Sequence, residues 1–292
     1  MALDRTDHGR GVRAERGPED RVWVVDRAGL REIDRLSVEE YGLPSIVLME
    51  NACAGLADET LAMLEDLGRR EVVVFCGPGN NGGDGLGAAR HLANADAEVE
   101  IVLVGHAPTT GDAAVNLEVC RRMGLPVVGF EAWAERERVE RPPAVVVDAL
   151  FGTGLTRPVG GVYADAVREI NALRGRGARV VAADIPSGLD ADTGAVLCAE
   201  GEDESVCVRA DLTVTFAALK PGFGELEAQE VLGEVTVVPI GCPSDLLDRF
   251  GRRLSDPPGA DATEPVAGDD RRHVVDWDGG DGGGEGGAGR GA

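Results

Sequence analysis

The chain has 292 residues, 43% of them hydrophobic and only 4% aromatic, and carries a formal net charge of -23. That length holds one large domain or two small ones, and such acidity excludes a basic face for nucleic acid or anionic membranes. Lys220 is the only lysine, so nearly all positive charge is Arg; a G+C-rich genome or a high-salt habitat would each produce that usage.

The six cysteines (Cys53, Cys76, Cys120, Cys198, Cys207, Cys242) lie far apart without a C-x-x-C pair. They fit buried, reduced thiols of a cytoplasmic protein better than a disulfide framework or a zinc ribbon. The four histidines (His8, His91, His106, His273) lack metal-ligand spacing. No apolar run approaches the roughly 20 residues of a membrane span. The acidic N-terminus reads neither as a signal peptide nor as a transit peptide.

Residues 1–21 are charged and aperiodic and read as a flexible extension, 22–252 as one ordered domain, and 253–292 as a disordered acidic Gly-rich tail. Helical spacing over 26–41 is broken by Gly42-Leu43-Pro44 and resumes over 45–67. Strand 72–76 is followed by helix 83–94, strand 99–104, helix 111–123 and a weak strand at 127–128. Strand 144–148, helix 161–173 and strands 179–183, 211–216 and 234–238 complete the domain. Continuous β-branched runs alternating with helices predict an α/β fold with a parallel sheet covered on both faces. Ligands in such folds bind at the C-terminal ends of the strands.

Four segments fall at those ends. Cys76 to Gly85 places glycines where a backbone must bend or let a phosphate approach. Gly77, Gly79 and Gly82 form a G-x-G-x-x-G, but strand 99–104 ends in Gly105-His106, without the acid that holds a ribose in dinucleotide folds. Asn80, Asn81 and Asp84 add oxygens able to meet a hard cation or a sugar hydroxyl. The second segment runs from Asp148 through Gly152 and Gly154 to Pro158; Asp148 either caps the next turn or contacts a ligand or cation. The third, Asp184-Ile185-Pro186-Ser187, repeats the strand-end acid. Two such acids repel unless a cation, a proton or a donor lies between them. The fourth presents Lys220 before Pro221-Gly222; a lysine can give up its proton when desolvated, which an arginine cannot.

Together GPGNNGGDG (77–85), VVDALFGTGL (146–155), ADIPSGLDADTG (183–194) and TFAALKPG (215–222) closely resemble the NAD(P)H-hydrate epimerase family, the YjeF N-terminal domain. The entry helix with Leu30, Ile33 and Asp34, followed by Leu48-Met49-Glu50-Asn51-Ala52, is similar too. The resemblance covers about residues 22–245. It implies a Rossmann-like three-layer α/β/α sandwich with a mostly parallel sheet, and epimerisation of the R and S forms of hydrated NADH and NADPH, an isomerase reaction of nucleotide repair. Implied substrate-binding positions are Asn80, Asn81, Gly82, Gly83, Asp84, Gly152, Thr153, Gly154, Leu155, Thr156, Arg157, Pro158, Tyr163 and Asp184. One potassium ion per subunit would be held by Asn81, Asp148 and Ser187. Epimerising the damaged carbon needs C–O cleavage or ring opening and then re-addition, hence a proton donor and acceptor. Asp184 is the candidate acid–base group and Lys220 its assistant. In some members of that family the domain is fused to an ADP- or ATP-dependent dehydratase; here that activity is expected in a separate protein or in a domain outside this sequence, and family members are often homodimers.

Two other readings compete with this one: a non-catalytic nucleotide-binding or protein-interaction module of the same fold, and a dehydrogenase. The polar strand-end residues speak against the first and the missing ribose acid against the second.

Overall fold

Strands made of unbroken valine runs can be satisfied only by cover on both faces, and that requirement organises the molecule. The computed structural model describes residues 12–14, 22–136, 141–198 and 206–254. Its elements begin with β1 (Val12–Ala14), β2 (Trp23–Val24), α1 (Arg27–Glu39), α2 (Ser45–Leu67), β3 (Glu71–Cys76), α3 (Asn80–Asn94), β4 (Glu98–Leu103), α4 (Gly111–Arg122), β5 (Val127–Gly129) and α5 (Phe130–Ala134). They continue with β6 (Val145–Ala149), α6 (Val162–Gly175), β7 (Arg179–Ala183), β8 (Leu212–Phe216), α7 (Leu226–Leu232), β9 (Glu234–Val238), α8 (Ser244–Phe250) and β10 (Arg252–Arg253).

Among the described residues eight strands form one sheet in the order β1-β9-β8-β7-β6-β3-β4-β5. Every pairing in it is parallel, so the sheet is wholly rather than mostly parallel. β2 and β10 pair separately and antiparallel. Alternate strand residues serve opposite faces. Val72, Val74, Val145, Val147, Val181 and Val214 pack beneath α2, α3 and α4. Val73, Phe75, Val146 and Val180 pack against α5 and α6. This is the expected three-layer Rossmann-like sandwich.

The strand order reverses between β3 and β6: β4 and β5 extend the sheet one way, and β7, β8 and β9 the other. The loops leaving β3 and β6 therefore part and open a crevice, the position where doubly wound folds take ligands.

Several details depart from the sequence expectation. Helix α3 starts at Asn80 rather than at residue 83. Glycine weakens an isolated helix, but the glycines of α3 allow close packing. A Cβ at Gly85 would lie 2.5 Å from the Ala149 Cβ, and one at Gly87 would lie 2.1 Å from the Cys53 Sγ. The short helices α5, α7 and α8 were not expected. Val12–Ala14, within the segment expected to be flexible, pair parallel with β9. The rest of 1–21 lies outside the described residues, and so does the expected tail from residue 255 onward.

Candidate active site

At the crevice the chain encloses a cavity of about 960 Å³. Its walls come from the start of α3, the loop after β6, the ends of β7 and β8, and the facing sides of α1 and α2. Of the expected binding residues, Asn80, Asn81, Asp84, Gly152 through Pro158, Tyr163 and Asp184 all line it, as does Lys220.

Gly82 and Gly83 do not. A Cβ on Gly82 would sit 1.9 Å from the Gly77 carbonyl oxygen, and one on Gly83 would sit 2.8 Å from the Met49 Cε and 3.0 Å from Ala113. These two glycines serve the fit of α3 against its own loop and its neighbouring helices.

Lys220 is buried, with a side chain 0% exposed. Its Nζ lies 2.7 Å from Asp184 Oδ1 and donates to Thr215 Oγ1 (2.7 Å), the Phe216 carbonyl (3.0 Å) and the Ala218 carbonyl (3.0 Å). An ammonium has three N–H donors and no acceptor, which suits this ring of oxygens. The other Asp184 oxygen, Oδ2, accepts from the Thr153 amide at 3.2 Å. One carboxylate thus joins the β7 end, the β8 end and the glycine loop after β6.

The backbone at both strand ends is strained. Asp184 has φ +65° and Ala217 has φ +63°. In each case the next amide bonds the preceding carbonyl, Ile185 N to Ala183 O at 2.8 Å and Ala218 N to Phe216 O at 2.7 Å. These are γ-turns of the rare, strained hand. The second turn sets the Phe216 and Ala218 carbonyls around Lys220.

Asn81 is 8% exposed, and neither Oδ1 nor Nδ2 has a hydrogen-bond partner among the described residues. A Cβ on Gly152 would fall 3.0 Å from Asp184 Oδ2 and 3.2 Å from Asn81 Oδ1, so both side chains flank that glycine. A buried amide left unpaired costs free energy, which makes Asn81 at the cavity wall a candidate ligand contact.

Asp148 and Ser187 sit behind the cavity wall, and neither has any exposure. Asp148 Oδ1 accepts from Ser187 Oγ (2.8 Å) and the Leu150 amide (3.2 Å), and Oδ2 accepts from the Ser187 amide (2.8 Å). Ser187 Oγ in turn accepts from the Phe151 amide at 3.0 Å. Burial pushes the Asp148 carboxyl up to about 6, opposed by the Ser187 and Leu150 donors. Asp84 is raised well above the usual carboxylate range, first by burial and then by the charges of Asp184 and Asp34.

The sequence reading gave no site role to several cavity residues: Asp34 and Arg31 on α1, Met49 on α2, His106 after β4, Phe151 and Ile240. The rings of Phe151 and Tyr163 pack 4.9 Å apart at 56°. Helix-borne wall residues leave no strand-end signature; the one available signal was a charged residue, Asp34, between the buried Ile33 and Leu36.

The family model for the YjeF-related protein N-terminus matches residues 45–222. The NAD(P)H-hydrate epimerase of Rhodopirellula baltica is 40% identical over 225 residues, covering 76% of this chain and 85% of that protein. The NAD(P)H-hydrate epimerase of Pirellula staleyi is 37% identical over 232 residues, 78% of this chain and 96% of that protein. The bifunctional NAD(P)H-hydrate repair enzyme Nnr of Salinibacter ruber is 43% identical over 245 residues, but the match spans only 43% of its length. Yeast ynu0, a solved structure, superposes with a TM-score of 0.64 at 24% identity over 82% of this chain and 98% of that one, a likeness of fold.

Proposed function

The chain belongs to the family of YjeF-related protein N-termini, and from that premise we propose that it epimerises the R and S forms of hydrated NADH and NADPH, with Asp184 as acid–base group. The observation that carries this reading is the buried Lys220–Asp184 pair, set beside an unpaired Asn81 in one cavity at the sheet's switch point.

The damaged nicotinamide carries a hydroxyl on the carbon next to the ring nitrogen. Inverting that carbon means losing the hydroxyl and regaining it on the other face, which requires proton transfer at that oxygen. Asp184 Oδ2 lies beside Gly152, which lines the cavity, while Oδ1 is committed to Lys220. Lys220 fixes the direction of the carboxylate; its other partners are Thr215 and two backbone carbonyls, so it acts as an anchor. The Thr153 amide holds the glycine loop against the same group. Thr156, Arg157 and Pro158 lie at the exposed rim, where Arg157 suits the phosphates of the nucleotide. Phe151 and Tyr163 supply an apolar wall.

A potassium ion fits the donor set. Asn81 Oδ1 is orphaned, Asp148 is a buried carboxylate, and Ser187 joins Asp148 to Phe151 beside Gly152. Asn81, Asp148 and Ser187 would hold the ion, and its charge would offset the cost of gathering several acids in one crevice. A dehydratase using ADP or ATP would consume the epimer.

The test is chromatographic. Purified S or R hydrate should approach the same equilibrium mixture much faster with the protein at near-neutral pH. Asp184→Asn should return the rate to the spontaneous one. No acceleration by the wild-type chain in potassium buffer would end this reading.

A further inference from the structure

We propose that Asp34 is a second proton-transfer group of this site, working with Asp184 across the reacting carbon. The inference rests on the epimerase reading and deepens it.

The placement of Asp34 follows from α1. The helix is capped by Asp26, whose Oδ1 accepts from the Gly29 amide at 2.7 Å. It is then fastened to the loop that leaves Asp184. Arg27 Nη2 lies 2.7 Å from Asp190 Oδ2, with both side chains 13% exposed, and the Arg27 amide donates to Asp192 Oδ1 at 2.9 Å. Residues 27, 30, 31 and 34 are spaced to share one helix face. Leu30, Arg31 and Asp34 duly line the cavity along with Asp84, Asp184 and Lys220. The ion pair that locks α1 to the β7 loop therefore also sets the position of Asp34 relative to Asp184.

The chemistry leaves a role open. Asp184 is held by the only lysine and by the Thr153 amide. Lys220 has all its protons engaged with four oxygens. Neither arrangement supplies a second exchangeable proton. Asp34 is exposed to the cavity, where it can touch substrate and exchange protons with water. The charged and titratable groups around it are Lys220 and Asp184 at the strand ends, Asp84 on α3, Cys242 after β9 and Arg31 on its own helix. The walls of the crevice and the Asp184 charge raise its carboxyl to about 6, against the lowering effect of Lys220. The unpaired Asn81 amide independently marks this cavity as a ligand site.

The step balances without any co-reactant. Asp34 gives its proton to the substrate hydroxyl. The C–O bond breaks, water departs, and the ring nitrogen's lone pair forms a C=N bond. Water then adds to the opposite face as that C=N bond reverts, and its proton passes to Asp184. The reverse direction uses Asp184 as donor and Asp34 as acceptor. The site holds one proton between two carboxyls, and exposed Asp34 resets it through solvent.

The experiment is the hydrate assay on wild type, Asp34→Asn and Asp34→Glu, with kcat and KM resolved from pH 5 to 9. We expect Asp34→Asn to lower kcat about 100-fold or more with KM within about threefold. The wild-type decline on the alkaline side, as the shared proton is lost, should vanish. Asp34→Glu should restore at least about a tenth of kcat with that decline. Asp34→Asn keeping more than a third of wild-type kcat, or acting through KM alone with an unchanged pH profile, overturns the role. Should Asp34→Asn not fold, by far-ultraviolet circular dichroism, Asp34→Glu with a wild-type profile supports the role and a lost profile at full kcat overturns it. An inactive wild type would overturn the epimerase reading and this role with it; an active wild type beside an indifferent Asp34→Asn overturns Asp34 alone.

Discussion

Lys220 Nζ lies 2.7 Å from Asp184 Oδ1, joining the chain's only lysine to a carboxylate that is itself 13% exposed. Removing one partner of a buried pair leaves the other charge without compensation and costs about 3–5 kcal/mol. We expect Lys220→Met to lose stability on that scale in urea denaturation. The double variant Lys220→Met/Asp184→Asn should recover more than half of the loss yet stay inactive. Equal losses in the single and double variants would show that the pair is not what Lys220 contributes.

The Asp148–Ser187 contact makes a second prediction, with a definite pH direction. Asp148 has a folded pKa of about 6, above its ordinary 3.8. The folded state therefore holds this proton more tightly than the unfolded state. Its contribution is fully present below about pH 4 and is lost as pH rises through about 6. In potassium-free buffer the stability of wild type relative to Asp148→Asn should fall across that window. Potassium should oppose the fall. Ser187→Ala removes a charge-assisted bond and strands the Phe151 amide, costing roughly 2–4 kcal/mol. Thermal melts in potassium and choline chloride across pH 4–8 check all three.

Much of the site could be read from where polar residues interrupt apolar runs. Asp148 and Asp184 end buried strands, and a strand that stops being apolar at its C-terminus in a parallel sheet points at the crevice. Asp34 and Met49 escaped that reasoning because they stand on helices, where one polar or apolar residue more changes no period. The glycines of 77–87 read by their number as a phosphate cradle, and the fold adds a second demand: Gly82, Gly83, Gly85 and Gly87 answer to tertiary packing, which single-residue preferences do not contain. The lysine pairing was half legible: a lone Lys220 at a strand end called for a chemical reason, but only the fold brings Asp184, thirty-six positions away, to its ammonium group.

The same glycines sort into two classes by experiment. A Cβ at Gly77 would fall 2.1 Å from the Leu150 carbonyl oxygen and one at Gly82 would fall 1.9 Å from the Gly77 carbonyl oxygen, whereas one at Gly79 or Gly154 would meet no atom of the described residues within 4 Å. Backbone atoms cannot step aside as a flexible side chain can. Gly77→Ala and Gly82→Ala should each cost more than about 3 kcal/mol or prevent folding, through overpacking. Gly79→Ala and Gly154→Ala should stay within about 1 kcal/mol and express themselves in KM. Chemical denaturation of the four variants, paired with hydrate kinetics, separates scaffold from contact.

Ala217 offers the sharpest test of the strained turn beside the lysine. It holds φ +63° while the Ala218 N–H donates a hydrogen bond to the Phe216 carbonyl, which also accepts from Lys220. An L-residue in that region costs about 1–2 kcal/mol, a cost glycine does not carry. Glycine also loosens the unfolded chain, which offsets part of the gain. Ala217→Gly should therefore stabilise the protein by about 0.5–1 kcal/mol, and kcat should stay within about threefold because the carbonyls around Lys220 keep their positions. A β-branched residue is the opposite case, since it tolerates positive φ worst. Ala217→Val should lose about 2 kcal/mol or more and lower kcat as the carbonyls turn away from Nζ. If glycine destabilises and valine does not, the turn at Ala217 is not under the strain that its dihedral implies.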